Sequence, residues 1–470
     1  MKKHLPFLLF ALPLALLAAT DTPGDFPALR AKADQGDPAA QFNLGVKFEQ
    51  GDGIPKNRTE AAKWYRLAAA QGFAAAQFNL GLILAEGRGV PKNPAEALKW
   101  FKLSADQGDA DAQCNLGAIY GNGIGVEKNP AEALKWFHLA ADQGKALASY
   151  SLGLLYEHGD GVPVDLATAA QWYRRAADHG HANAQRRLGE MNAKGIGTAK
   201  NAAEAVHWYQ LAAAQGDAVA QFNLGTIFAN GDGVPPDSVT AVHWYQLAAA
   251  QDYPEAQSNL GLMYAHGEGV RLDPAAAQKW YRLAAEKGVP EAQYNLGLLY
   301  ARGEGVARDS AEAVRWYRQA AEQGFAEAQS SLGLMYAHGE GVAREYAEAL
   351  RWYHLAADQG FARAQHNLGA MYTFGYGVAP DAAEAFKWYG LAAAQGFAPS
   401  MHNLGVALVN GNGTTADLVQ AHAWLDAAAT LGSPQSSELL HLIEVKMTPA
   451  QLAASASLAR QLMEKLPRRN

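Results

Sequence analysis

The fold is decided by residues 77–108, which read QFNLGLILAEGRGVPKNPAEALKWFKLSADQG. An apolar stripe opens this stretch at the spacing i, i+4, i+7 and i+8, carried by Ala76, Leu80, Ile83 and Leu84. This spacing places the four side chains on one face of a helix with 3.6 residues per turn. The stretch therefore begins with an amphipathic α-helix.

A glycine lies inside that first helix. Gly81 costs about 1 kcal/mol relative to alanine at a helix interior, so we expect another helix to approach closely there. The helix is predicted to end at Gly87 and Gly89, because a glycine pair can take positive φ in a connecting loop.

A second helix is predicted to follow the loop. Asn93 suits the N-cap, Pro94 suits the first turn, and Glu96 would complete a capping box with Asn93. Trp100 and its aromatic neighbour then pack inward with alanines, and Gly108 ends the helix in the left-handed conformation. The unit is a helical hairpin.

This unit recurs with a fixed period. The tryptophans of the chain lie 36 residues apart, without insertion or deletion, at Trp64, Trp100, Trp136, Trp172, Trp208, Trp244, Trp280, Trp316, Trp352, Trp388 and Trp424. Such a period is typical of repeats that bury their apolar faces against their neighbours. We predict an all-α fold, an α-α superhelix (solenoid) of eleven 36-residue helical hairpins with N- and C-terminal capping helices.

The predicted domain organisation follows from where the repeat begins and ends. We assign residues 1–19 to a signal peptide, 20–36 to an N-terminal capping half-repeat, 37–432 to the eleven repeats and 433–470 to C-terminal capping helices. The last of these helices is predicted to start with a capping box at Thr448 to Gln451. Atypical terminal units cover the open ends of a solenoid.

The N-terminal segment is typical of a secretory signal. Lys2 and Lys3 precede an apolar run over residues 5–17, and Ala18 and Ala19 supply small residues for cleavage. The run is too short to span a bilayer well. We therefore expect a periplasmic or secreted bacterial protein, without membrane insertion after cleavage. Whether the segment is cleaved or retained stays open.

The charge of the chain limits its partners. It carries 39 basic and 46 acidic residues, a net charge of −7, which becomes −9 without Lys2 and Lys3. An acidic chain without basic clusters argues against nucleic acid and against an anionic membrane surface. Cys114 is the single cysteine, so no internal disulfide can form.

The repeat resembles the Sel1-like repeat family. Residues 256–288 carry the pattern A-Q-x-N-L-G-x-x-Y, then G-x-G-V, then A-x-x-W-Y-x-x-A-A-x-x-G. The resemblance implies a non-enzymatic adaptor that binds a protein partner on its concave surface, with envelope, secretion or signalling components as candidate partners. Cysteine-rich members suggest the alternative of a protein that binds or hydrolyses cell-wall material or β-lactams. Those members pair two cysteines in each repeat, unlike this chain.

Motifs for chemistry are missing from the sequence. It has no S-x-x-K, G-x-S-x-G, H-E-x-x-H or C-x-x-C sequence, and the G-x-G pairs follow helices rather than strands. We expect no catalytic residue, cofactor or metal. A weak metal site at the neighbouring His179 and His181 is the alternative.

The candidate partner-binding residues come from the first helices, which should line the concave side. The residue after each Ala-Gln pair, and the one four positions later, lie opposite the buried stripe. From these two columns we select Tyr150, Arg186, Glu190, Phe222, Tyr294, His366 and His402. The alternative is that neighbouring first helices bury much of these columns against each other.

Two repeats depart from the pattern. In the fifth, Arg186 and Glu190 are four residues apart and suit an ion pair, and Asn192 replaces an apolar residue. This polar patch is either a recognition site or a tolerated weak unit. Asp252 replaces a helix-ending glycine, so we expect it in the left-handed conformation.

Overall fold

The computed structural model describes residues 26–467. These residues form helices α1–α25 and no strand. The predicted signal peptide lies outside the described residues. The chain divides into two compact units at Asp237 and Ser238.

The first unit contains helices α1–α12. Their bounds are α1 Phe26–Asp34, α2 Pro38–Gln50, α3 Arg58–Ala70, α4 Ala74–Glu86, α5 Pro94–Asp106, α6 Ala110–Asn122, α7 Pro130–Asp142, α8 Ala146–His158, α9 Leu166–Asp178, α10 Ala182–Lys194, α11 Ala202–Ala214 and α12 Ala218–Asn230.

The second unit contains helices α13–α25. Their bounds are α13 Ser238–Ala250, α14 Pro254–His266, α15 Pro274–Glu286, α16 Pro290–Arg302, α17 Ser310–Glu322, α18 Ala326–His338, α19 Tyr346–Asp358, α20 Ala362–Phe374, α21 Ala382–Ala393, α22 Ala398–Asn410, α23 Leu418–Thr430, α24 Pro434–Glu444 and α25 Pro449–Lys465.

Within each unit the helices pack as stacked hairpins. The first helix of a repeat packs most extensively on the second helix that follows it, as α4 does on α5, and the second helix then packs on the first helix of the next repeat. Their contact surfaces bury the alanines, leucines and aromatic residues that recur in the sequence. The predicted all-α fold of paired helices, as in a solenoid, is confirmed.

The loop glycines allow consecutive repeats to touch. Gly87 and Gly89 have φ values of 75° and 78°, as predicted. A Cβ on Gly89 would lie 2.7 Å from the backbone carbon of Arg58 in the preceding repeat. The hydroxyl of Thr59 donates to the carbonyl of Gly89 at 2.8 Å. The loop therefore rests on the start of the previous second helix.

Of the two hydrogen bonds that the predicted capping box at Asn93 requires, one is present and the prediction of the other is wrong. The Asn93 side-chain oxygen accepts from the backbone amide of Glu96 at 3.1 Å. The backbone amide of Asn93, however, donates to the Leu84 carbonyl at 2.8 Å rather than to the Glu96 side chain. The end of the first helix thus supplies the acceptor that the box would have used. The Glu96 carboxylate instead accepts from the side-chain amide of Asn93 at 3.2 Å, and from Trp100 and Arg66, each at 3.3 Å.

Two further local predictions are confirmed. Thr448 and Gln451 form a complete capping box at the start of α25. Asp252 has a φ of 66°, and Lys287 donates to its carboxylate at 2.7 Å and to its carbonyl at 2.9 Å. The lysine thereby stabilises a conformation that otherwise favours glycine.

A row of glutamine pairs joins the two helices of the hairpins, and the sequence did not predict it; in each pair the first-helix glutamine is buried and the second-helix glutamine is exposed. The Gln77 amide donates to the Ala69 carbonyl at 3.1 Å, and its oxygen accepts from Gln107 at 2.8 Å. The same donation over 30 residues recurs at Gln71→Gln41, Gln143→Gln113, Gln215→Gln185, Gln323→Gln293, Gln359→Gln329 and Gln395→Gln365. Each pair therefore links the two helices of one hairpin, while the buried glutamine also donates to a carbonyl of the preceding repeat, as Gln77 does to Ala69.

Candidate functional site

The seven candidate binding residues all lie on first helices and are all half-buried. Several residues at the equivalent positions of other repeats, such as Phe42, Phe78 and Ser330, are buried. These positions thus do not form a continuous solvent-exposed groove. The alternative in which packing encloses much of each column therefore holds at many positions. The seven candidates keep partial contact with solvent.

The aromatic candidates are held by ring contacts. Tyr150 stacks on His181 with ring centroids 4.5 Å apart and contacts Tyr173 at 5.6 Å. Burial raises the pKa of the Tyr150 hydroxyl, so it stays protonated and can donate a hydrogen bond. Phe222 is half-buried on α12.

Tyr294 has an equivalent setting in the second unit. Its ring lies 5.8 Å from that of Tyr317 and 5.5 Å from that of Phe325. Such contacts fix the ring and lower the entropy that it would lose on binding. Tyr294 is therefore a rigid, partly exposed aromatic side chain.

The polar patch of the fifth repeat is paired internally. Arg186 contacts Glu190 at 2.9 Å, which confirms the predicted pair, and contacts Asp217 of the next repeat at 3.1 Å. Asn192 is buried, and its side-chain amide donates to the Leu188 carbonyl at 2.8 Å. The patch thus satisfies its own polar groups.

Arg187 extends this network to the fourth repeat, which the sequence did not predict. It forms an ion pair with Glu157 and a second one with Glu190 at 2.5 Å, and Tyr173 donates to Glu157 at 2.5 Å. Burial by itself would raise the pKa of Glu157, but the hydrogen bonds from Arg187 and Tyr173 hold that pKa below its ordinary value. The carboxylate stays ionised and joins repeats four and five.

The two histidine candidates make the same contact in consecutive repeats. Nδ1 of His366 lies 2.9 Å from the Ser400 hydroxyl, and Nδ1 of His402 lies 3.0 Å from that of Ser436. Burial lowers the pKa of His366 to about 4 and also lowers the pKa of His402. His366 is therefore neutral at pH 7.

The structure brings some candidates together and separates others. Arg186 and Glu190 are in contact, and the pKa of Tyr150 responds to both charges. His366 and His402 line one cavity of about 370 Å³, whose other walls are the start of α22 and residues 432–435 before and at the start of α24. Tyr294 lies on α16, away from that cavity. The candidates form two local groups and isolated positions rather than one site.

Exposed apolar residues of the second unit were missed as candidates. Leu262 and Leu334 are 41% and 43% exposed on first helices, and Phe374 is 63% exposed at the end of α20. Tyr376, in the following loop, is 45% exposed and stacks on Tyr346. The sequence held a signal here, because the loop reads FGYG where the two preceding repeats read RGEG and HGEG.

The possibility of a metal at His179 and His181 is not favoured. His179 Nδ1 lies 2.7 Å from the Arg175 carbonyl, and His181 caps α10 by accepting from the Ala184 amide at 3.3 Å. Each imidazole thus bonds to the backbone at a helix end, His179 at the end of α9 and His181 at the start of α10. Within residues 26–467 no group of three histidine, cysteine, aspartate or glutamate residues is placed to hold a metal ion.

A serine, histidine and glutamate meet near the C-terminus. His422 Nδ1 lies 3.1 Å from the Ser455 hydroxyl, and its Nε2 lies 3.4 Å from the Glu444 carboxylate. Ser455 is fully buried and donates to the Leu452 carbonyl at 2.8 Å. A substrate carbonyl cannot reach that hydroxyl while α25 is in place, so the arrangement suits helix packing rather than nucleophilic catalysis.

The Sel1 repeat family matches eleven consecutive segments of this chain. They are residues 38–73, 74–109, 110–145, 146–181, 182–217, 218–253, 254–289, 290–325, 326–361, 362–397 and 398–433. The chain belongs to the Sel1 repeat family. The resemblance inferred from residues 256–288 is thereby confirmed. The Sel1 repeat fold is typical of protein-interaction scaffolds.

Two solved structures show how far the likeness of this Sel1 repeat chain extends. A protective antigen present in uropathogenic Escherichia coli strains, displaying an SLR fold, is 37% identical with a TM-score of 0.91, over 93% of this chain and 94% of that one. A Sel1 repeat protein from Oxalobacter formigenes is 33% identical with a TM-score of 0.52, over 70% of this chain and 99% of that one. No curated protein matched the chain. In the described part, no helix is both long and apolar enough to cross a membrane.

Proposed function

We propose that this chain is an exported, non-enzymatic adaptor that binds a protein partner on the face formed by its first helices. In this proposal that face is the concave one, and α1, α24 and α25 cap the repeat array. The observation that carries the proposal is the row of half-exposed leucines, Leu262 and Leu334, on first helices of the second unit. Exposed apolar surface beside aromatic rings is typical of protein-binding faces.

The second helices also expose leucines, but in a different setting. Leu355 and Leu391 are 41% and 45% exposed, close to the values of the first-helix leucines. At the end of the first helix α20 and in its loop, the same unit also exposes two aromatic residues, Phe374 at 63% and Tyr376 at 45%. Single exposed leucines among charged residues are common on protein surfaces, so the first-helix face is the better candidate.

The half-buried candidates serve this proposal as fixed elements of the binding face. Tyr150 and Tyr294 offer rigid rings, His366 and His402 offer neutral imidazoles, and Phe222 adds a further apolar side chain. Arg186 and Glu190 are already paired, so they would bind a partner mainly through the outward sides of that pair.

Export is the second part of the proposal, and it depends on residues 1–19. The similar E. coli protein is described as a protective antigen, which fits a protein displayed to a host. Intact-mass analysis of the chain recovered from the envelope fraction should give a chain that begins at Thr20. An intact N-terminus in the cytosolic fraction would contradict export while leaving partner binding untouched.

Affinity capture tests the adaptor function. The purified chain is immobilised, exposed to envelope extract of the source organism with and without crosslinking, and its bound proteins are identified by mass spectrometry. A stoichiometric protein partner is expected. Background binding alone, together with saturable binding of a muropeptide or β-lactam, would favour the envelope-ligand alternative instead.

A further inference from the structure

The tenth and eleventh repeats enclose a cavity of about 560 Å³ among α20, α21 and α22. Two small residues line it at positions where the preceding repeat has large ones. Ala370 takes the place of Leu334, and Ala407 takes the place of Met371, one period earlier. Met371 is buried, whereas Ala407 is only half-buried. The equivalent cavity one repeat earlier, which Leu334 and Met371 line, measures about 350 Å³, so the two alanines enlarge the space between adjacent first helices.

The cavity is lined mainly by apolar groups and bears no formal charge at pH 7. Phe386 and Val406 contribute to its walls, and Phe374, which is 63% exposed, lies at its edge. His366 is the titratable imidazole in the lining, and burial lowers its pKa to about 4. Clefts of roughly 300–1,000 Å³ with apolar walls and few polar groups are the usual form of ligand sites.

A second, smaller cavity adjoins the first and has a different character. It measures about 350 Å³, shares Ala370 with the larger cavity, and is lined by Tyr376, His338 and Arg344. Arg344 is exposed and has no carboxylate partner among residues 26–467. Its neighbour Glu345 is exposed and contributes to neither lining. One end of the combined groove is therefore basic, although the chain as a whole is acidic.

We propose that this paired cavity binds a protein segment that inserts one large apolar side chain beside Ala370 and Ala407. An acidic side chain of the same segment pairs with Arg344. The assignment rests on the proposed adaptor function and specifies the partner's chemistry. Anchoring of an apolar side chain in a pocket, with a charged contact at its edge, is a common energetic pattern of protein interfaces.

A carbohydrate fits these walls less well than a peptide. A sugar presents many hydroxyls, and each needs a hydrogen-bond partner when buried. The polar residues of the large cavity are His366, Thr373, Tyr389, Asn403 and Asn412, and several of them already have partners. The Thr373 hydroxyl donates to the Gly369 carbonyl at 2.7 Å and lies 3.3 Å from the Tyr389 hydroxyl. His366 Nδ1 lies 2.9 Å from the Ser400 hydroxyl. The alanine, valine and phenylalanine surfaces offer none. An apolar side chain leaves no group unsatisfied there.

Selection from a phage library of random dodecapeptides tests the proposal with the purified full chain. Enriched peptides should share a large apolar residue with aspartate or glutamate a few positions away. Fluorescence anisotropy then compares their affinity for the chain and for cavity-filling variants, Ala370→Leu and Ala407→Met, made singly and together. We expect at least about tenfold weaker binding to the double variant and about threefold weaker binding to Arg344→Ala. Reversing the charge of the acidic residue in the peptide should weaken its binding to the unaltered chain as much as Arg344→Ala does.

Val46→Leu is the matched control, because Val46 occupies the column of Ala370 in the first unit. It should leave the affinity unchanged. Circular dichroism establishes that each variant is folded. Peptides that bind the filled variants as tightly as the chain would overturn the cavity assignment but leave the adaptor function standing. Failure to enrich any peptide, with binding of a muropeptide that the filled variants lose, would overturn both.

Discussion

Gly81 lies directly beneath the ring of Phe101. A Cβ on Gly81 would come within 2.7 Å of the Phe101 Cε1 atom, and real Cβ atoms do not approach ring carbons so closely. The same contact joins Gly45 to Tyr65 and Gly117 to Phe137. The glycine in the middle of these first helices is therefore explained by the ring that follows the tryptophan, and in the eleventh repeat Leu425 takes the place of that ring beside Gly405.

Gly81→Ala should destabilise its hairpin, because the added methyl group displaces a fully buried ring. Overpacking of this kind costs about 1–3 kcal/mol, which exceeds the gain of about 1 kcal/mol in helix propensity. Hydrogen exchange of the α4 and α5 amides measures the local free energy of opening.

Gly390→Ala is the matched control for that substitution. Gly390 lies inside α21, and no atom lies within 4 Å of the Cβ position. The variant should slow exchange in α21 through propensity alone. Equal effects of the two substitutions would contradict the ring-contact account.

Gln107→Ala should weaken the contact between α4 and α5, the two helices of the second repeat. It leaves the buried Gln77 oxygen without its donor at 2.8 Å, and an unsatisfied buried acceptor costs about 1–3 kcal/mol. Lys287→Ala is the control from the same column, since Lys287 binds the exposed Asp252 and leaves the Gln257 oxygen without a partner. Thermal unfolding should show a larger loss for Gln107→Ala. A larger loss for Lys287→Ala would contradict this role of the glutamine pair.

Glu157 should make the first unit sensitive to acid. Its pKa is lowered in the folded state, so its contribution to stability is present above the ordinary carboxyl pKa and is lost as the pH falls through the folded-state pKa. The protection factors of the α8–α10 amides, which correct exchange for its intrinsic pH dependence, should therefore fall below about pH 4. Glu157→Gln should raise exchange at pH 7 and reduce this acid dependence.

The control for Glu157 is an exposed pair. Glu312→Gln removes the partner of Arg315 at 3.2 Å, and exposed pairs contribute about 0–1 kcal/mol. It should change exchange of its own helix only slightly. If Glu157→Gln and Glu312→Gln had the same small effect, the ion pair between Glu157 and Arg187 would contribute no more to stability than an exposed pair does.

His366 should titrate near pH 4 in the folded chain. Its folded-state pKa lies below the ordinary value, so the unfolded state binds more protons between these values and stability falls as the pH is lowered through that window. Ring signals in an NMR titration, assigned by their loss in His366→Gln, give this pKa directly. A midpoint near 6.5 would show that the ring is solvated and that the cavity beside it is open to water.

Local sequence pattern predicted the helices, the loop glycines and the left-handed Asp252, because each depends on residues within one turn or one loop. The Gln77–Gln107 hydrogen bond could not be predicted in the same way, since it joins two glutamines 30 residues apart whose contact depends on how the two helices of a hairpin pack. The failed capping box at Asn93 has the same cause: the carbonyl of Leu84 competes for its amide.

The candidate site was predicted less completely than the fold. Residues were selected by helical face, and face alone does not tell how far the next repeat covers a side chain. Ser330 is therefore buried in the column that leaves Tyr294 half-exposed. The Arg186–Glu190 pair was predictable from its spacing, whereas the ion pairs from Arg187 to Glu157 and from Arg186 to Asp217 cross between repeats.

The most direct test of the account compares two matched pairs of substitutions in affinity capture. Leu262→Asp with Leu334→Asp alters the first-helix face, and Leu355→Asp with Leu391→Asp alters equally exposed leucines on second helices of the same unit. Binding through the first-helix face predicts that the partner retained by the wild-type chain is lost from the first variant and kept by the second. Loss from the second variant alone, with circular dichroism showing both folded, would contradict the proposal.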